Sequence, residues 1–300
     1  MAKRVVSVSL GSSRRDSVAE VELLGERVVL ERRGTDGDLE RAVALIRELD
    51  GQVDAIGLGG IDLYLVAGGR RYVIKDAKRL KEAARKTPVV DGSGLKHTLE
   101  RRAVGELAPL IDWKNTKVLL PSAVDRFGLA EALWEAGAKV LYGDFIFALG
   151  LPIPLYRLSL LQKLAYLLLP VLTQLPFRLL YPTGEAQEKQ VLDWRTRYYA
   201  WADLVAGDWH YIRRYMPEDM RGKTVLTNTT TEEDLAFLRA RGVRRLITTT
   251  PRLKGRSFGT NVMEALLVAL AGRELAEADY LRYIDLLGLK PQVLDLEEEA

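Results

Sequence analysis

The stretch Asp91-Gly92-Ser93-Gly94-Leu95-Lys96-His97 sets an acid, a hydroxyl, an amine and an imidazole within seven residues, loosened by glycines. A carboxylate and an amine held together can exchange a proton with a substrate during hydroxyl–carbonyl interconversion. Lys96 and Asp91 are therefore the candidate catalytic pair; a surface loop with Lys96 in solvent is the alternative. A second set follows predicted strands: Ser122, Asp144, Asn228, Thr229 and Thr249. Ligands of open α/β sheets bind beyond the carboxyl ends of the strands, so these five are candidates to hold a nucleotide cofactor. The same residue types also cap helices, which is the competing explanation. Asp144 ends the second strand of a βαβ unit, where a carboxylate can accept the ribose hydroxyls of NAD and repel the extra phosphate of NADP.

Gly255 to Asn261 opens a long helix with small residues and one guanidinium, beside Lys254. Free N–H groups and the positive end of a helix dipole favour an anion there, so Arg256, Ser257 and Gly259 are the candidate anion contacts. The loop Gly57-Leu58-Gly59-Gly60-Ile61-Asp62 follows a strand but leads into another strand, which is not the context of a dinucleotide fingerprint. It reads as a tight turn that points Asp62 toward a cleft. Each of the two histidines, His97 and His210, is a candidate base or a structural residue.

These groups need elements to position them. Runs at 4–10, 18–24 and 26–32 are β-rich and consistent with a meander, and a helix follows at 38–49. From 113 onward, short apolar strands at 117–122, 138–144, 202–208, 223–228 and 243–250 alternate with helices. That alternation predicts an open parallel sheet covered on both faces. The expected fold is an N-terminal α+β domain over 1–112 and a C-terminal Rossmann-like α/β domain over 113–300. An apolar segment at 145–181 interrupts the second domain with only Arg157, Lys163 and Arg178 charged, and four prolines. Its longest uncharged stretch, 164–177, is too short to span a membrane. It is either a lid or membrane-surface segment, or a buried helical excursion or dimer interface.

The 300 residues carry 44 Lys and Arg against 41 Asp and Glu, a net charge of +3, which argues against a nucleic-acid partner. Cysteine is absent, excluding disulfides, thiol nucleophiles and Cys-based zinc sites, and two histidines make a His-rich metal site implausible. The N-terminus lacks an apolar run suited to export, so a cytoplasmic location is expected. Three Asn and six Gln among abundant Arg, Glu, Leu and Ala fit a thermophilic source or high-GC coding.

The blocks VVSVSLGSS, GLGGIDLYLVAGGRRYVIKDA, TPVVDGSGLK, SAVDRFG and TTTPRLKGRSFGTNVMEALLVAL resemble a bacterial family labelled quinate 5-dehydrogenase-like, across nearly the whole chain. The resemblance implies NAD(P)-linked oxidation of a ring hydroxyl, although no position here matches that family's lysine motif. The leading expectation is an NAD-linked dehydrogenase of a small hydroxy acid, with a small anionic or nucleotide ligand in an interdomain cleft. The alternatives are a transferase using a nucleotide-sugar donor, and a non-catalytic ligand-binding or membrane-associated protein. Homo-oligomerisation is compatible with each.

Overall fold

A computed structural model describes residues 2–176, 190–250, 252–253, 256–257 and 259–297. The first half runs β1 (Lys3–Ser9), β2 (Ser17–Leu23), β3 (Glu26–Gly34), α1 (Leu39–Leu49), β4 (Ala55–Gly59), the hairpin β5 (Tyr64–Ala67) and β6 (Arg70–Val73), α2 (Lys75–Lys81), β7 (Val89–Val90) and α3 (Ser93–Glu106). Its main sheet has the order β2-β3-β1-β4-β7. The expected meander is corrected here: β2 and β3 form an antiparallel hairpin, but β1 lies parallel to both β3 and β4. The reason is burial on both faces. Val5 packs under one layer of helices, while Val6 and Val8 pack under α1 and α2 on the other. A central strand covered twice belongs in a parallel sheet.

The second half runs β8 (Lys117–Leu120), α4 (Phe127–Glu135), β9 (Lys139–Tyr142), α5 (Asp144–Phe147), α6 (Leu158–Leu172), α7 (Arg197–Trp201), β10 (Leu204–Ala206), α8 (Trp209–Tyr215), β11 (Thr224–Thr227), α9 (Glu232–Ala240), β12 (Arg245–Thr248), the short pair β13 (Arg252–Leu253) and β14 (Arg256–Ser257), α10 (Thr260–Ala271), α11 (Glu277–Leu286) and β15 (Gln292–Asp295). The five predicted strands pair in parallel in the order β12-β11-β10-β8-β9, and β15 adds an antiparallel edge. Alternation again divides the residues: Val118 and Leu120 face α4, while Leu119 faces α7 and α8. The chain is thus α/β in two parts, as the sequence predicts.

One helix crosses between the parts. α10 packs on β1 and β4, and its Met263, Leu266 and Leu267 share a core with Val5 and Leu95. Two glycines allow this approach. A β-carbon on Gly57 would lie 2.6 Å from the Asn261 carbonyl oxygen, and one on Gly92 (φ +90°) would lie 2.5 Å from the Asn261 nitrogen. α10 and α11 lie within 113–300 in sequence but pack on β1, β4 and α3.

The apolar segment folds as α5, an extended stretch in which Leu155 bridges to Tyr142, and α6. Leu158, Leu161, Ala165 and Leu169 bury one face of α6. Residues 177–181 lie outside the described residues. No helix among the described residues is long and apolar enough to cross a membrane.

Candidate ligand site between the two sheets

The carboxyl ends of both parallel sheets open onto one cleft of about 740 Å³, within the range of roughly 300–1,000 Å³ that suits a small molecule. From the first part it receives Ser9 at the end of β1, Gly59 to Asp62 at and after the end of β4, Asp91 after β7 and Lys96 on the first turn of α3. From the second part come Ser122 and Val124 to Arg126 after β8, Asp144 after β9, Asp208 after β10 and Asn228 to Thr231 after β11. Gly259, Thr260 and Asn261 complete the rim from the start of α10, where Asn261 donates to the Ser7 hydroxyl at 2.9 Å.

Arg126 is the electrostatic centre of the far wall. Its guanidinium donates to the buried Glu100 carboxylate and, at 3.1 Å, to Asp208 Oδ2. Its Nε lies 3.7 Å from Asp125 Oδ2. Asp208 also caps α8 by accepting from the His210 and Tyr211 amides. Burial works against the charge on Asp208, but Arg126, His210 and Lys96, with the His210 amide, together outweigh it and hold its pKa low. Burial pushes Glu100 up despite the same guanidinium. The sequence reading missed this network because Glu100 lies mid-helix, 26 residues from its partner.

The expected Lys96–Asp91 pair is corrected. Asp91 is spent on backbone and hydroxyl donors: Leu63 N at 2.6 Å, Ser93 N at 3.0 Å and Ser93 Oγ at 2.7 Å. Lys96 pairs with Asp62 instead, at 3.4 Å. Burial disfavours the ammonium, yet Asp62, Asp125 and Glu100 together more than offset this and raise the Lys96 pKa, so the amine stays protonated. Burial pushes Asp62 up to about 6 against the pull of Lys96. The turn that presents Asp62 was visible in the sequence; its partner was not.

Of the expected cofactor contacts, Ser122, Asp144, Asn228 and Thr229 line the cleft. Thr249 does not: it is buried, and its amide donates to the Thr227 carbonyl. Asp144 commits only one carboxylate oxygen to the backbone. Its Oδ1 accepts from the Ala123 and Val124 amides at 2.9 and 3.0 Å, and burial pushes its pKa up to about 6. Gly259 is on the rim, but the side chains of Arg256 and Ser257 lie outside the described residues, as does Lys254. His97 is not at the cleft. It packs where α3 crosses α4, so that a β-carbon on Gly128 would lie 2.6 Å from its Nδ1. His210 lines the cleft, and burial lowers its pKa, leaving it neutral at pH 7.

Among the described residues, three buried oxygens around the cleft have no hydrogen-bond partner: Asp125 Oδ1, Asp144 Oδ2 and Thr230 Oγ1. Leaving such atoms unpaired costs about 1–3 kcal/mol each, so they mark where an added donor would be favoured. α6 contributes only aliphatic side chains to the lining, as do Leu65 and Ile74.

Fold and site together define a two-part α/β protein whose facing strand ends enclose a ligand-sized cleft. The chain belongs to the family described as domain of unknown function DUF8754, whose model matches residues 94–296, and a domain of unknown function DUF8753 matches residues 4–91. No curated protein matches the chain. Solved structures similar to it include AraP, an arabinose-binding protein from Geobacillus stearothermophilus, at 11% identity and TM-score 0.45 over 99% of this chain and 97% of that one. A solute-binding protein from Agrobacterium vitis bound with α-D-tagatopyranose gives 10% identity and TM-score 0.39 over 98% and 95%. A periplasmic solute-binding protein from Actinobacillus succinogenes with bound D-allose gives 10% and 0.37 over 98% of each chain.

Two expectations are overturned by these findings. The quinate dehydrogenase resemblance and the NAD-linked activity built on it give way: the family models that match are described only as domains of unknown function. The cytoplasmic expectation is withdrawn as well.

Proposed function

We propose that this protein binds a small polyhydroxylated molecule in the cleft, without transforming it. The observation that carries the reading is the set of buried, partnerless oxygens of Asp125, Asp144 and Thr230 around the cleft. Hydroxyl groups supply the donors those oxygens lack, and Arg126 and Lys96 supply donors for the ligand's own lone pairs. Charge points the same way. Among the described residues, eight carboxylates line the cleft against four Lys or Arg, a poor setting for the small anion expected from sequence. A protonated, ion-paired Lys96 and a saturated Asp91 favour binding over proton transfer. The sugars named for the solved structures above belong to the same chemical class.

A thermal-shift screen of free pentoses, hexoses and polyols tests this. At least one should raise Tm in a saturable way, because selective binding stabilises the native state. Asp125→Ala should weaken that ligand roughly 10- to 100-fold, the loss of one hydrogen bond to a charged group. Full affinity in the variant would remove Asp125 from the site.

A further inference from the structure

Resting on that reading, we propose that the ligand is an amphiphile, with a hydroxylated head between the strand ends and a hydrocarbon portion along α6. The lining of the one cleft divides in chemistry between the strand ends and α6. The carboxylates, Lys96 and Arg126 gather at the strand ends. The six residues that α6 turns into the cleft are Leu161, Leu164, Ala165, Leu168, Leu169 and Leu172, all aliphatic.

Helical spacing divides these six into two rows. Leu161, Ala165 and Leu169 are buried, as core packing requires. Leu164, Leu168 and Leu172 form the adjacent row and are only half-buried while bordering the cleft. Leu164 and Leu172 also pack against the edge of that core, whereas Leu168 borders the cleft without joining it. Phe145, Ala148 and Leu149 from α5 and its end extend the same apolar wall. A free sugar would leave this wall facing water, whereas a hydrocarbon chain would cover it, a gain proportional to the area removed from solvent. The excess of carboxylates disfavours an anionic head, and the hydroxylated one rests on the partnerless oxygens of Asp125, Asp144 and Thr230.

A series of n-alkyl β-D-glucosides from butyl to octyl, held below their micelle concentrations, tests the proposal by calorimetric titration of the full chain. Affinity should rise about three- to fourfold per added methylene. Leu168→Asp should flatten that dependence, and Leu168→Ala should reduce its slope should the aspartate variant not fold. Free sugars that bind while affinity stays flat along the series would overturn the amphiphile and leave the sugar-binding reading standing. Chain-length dependence with alkyl alcohols but no affinity for glucosides would keep the apolar wall and overturn the hydroxylated head. Binding of neither free sugars nor any alkyl compound would overturn both.

Discussion

Removing the Arg126 guanidinium would leave Glu100 as an unpaired carboxylate with a side chain only 2% exposed. Breaking one side of a buried ion pair costs about 3–5 kcal/mol, so Arg126→Ala should lower the urea midpoint strongly. The double variant Arg126→Met with Glu100→Gln should regain most of that loss; a double variant as unstable as the single would show that the pair is not the cause. Glu264 sets a second expectation at this scale. It bonds to the Tyr280 hydroxyl, and burial, helped by the Asp91 charge, pushes its pKa up to about 7 from an ordinary 4.5. Between those values the folded protein holds a proton that the unfolded chain releases, so stability falls as pH rises through the window. Asp62 and Asp144, each raised to about 6, act in the same direction. Glu264→Gln should flatten the decline in urea midpoint between pH 4.5 and 7, and an unchanged slope would exclude it as a contributor. Residue types were legible in the sequence here, but partners were not. Asp91 and Lys96 are five apart in the chain, yet Lys96 meets Asp62, 34 residues away. Short polar side chains bond the nearby backbone readily, which is what Asp91 does.

At the scale of elements, the parallel strands of the second sheet were read correctly because short apolar runs between helices have few other solutions. The rule that ligands gather beyond strand carboxyl ends then located Ser122, Asn228 and Thr229 at the cleft. Helix placement was less legible. Nothing in the apolar periodicity of α10 says which sheet it covers, and the answer depends on Gly57 and Gly92 leaving room for Asn261. Gly92→Ala would put a side chain at φ +90° against backbone. It should destabilise the fold by more than the roughly 1 kcal/mol typical of a strained backbone position, read from urea melts. It should also weaken ligand binding, since α10 carries part of the rim; a neutral effect on both would refute the close approach. The uncharged segment around α6 stood out in composition, and one of its readings was an apolar cover over a ligand. Which face it offered to the cleft required the fold.

For the whole molecule, the two sheets matter less as separate domains than as opposing walls. Each contributes strand ends that are ordinary alone: capped helices, a glycine turn, an Asx cap. Facing each other, they concentrate carboxylates, two buried cations and several partnerless oxygens in one cleft that α6 lines with aliphatic side chains. The near-neutral composition hid this, because a net charge of +3 over 300 residues averages an acidic cleft with basic surface elsewhere. The most direct measurement is equilibrium dialysis of the full chain against the radiolabelled ligand that the thermal-shift screen selects, followed by chemical analysis of the released molecule. We expect saturable binding of one ligand per chain and recovery of that ligand unaltered. Absence of saturation, or release of a chemically changed molecule, would contradict the assignment of this cleft as a non-catalytic binding site.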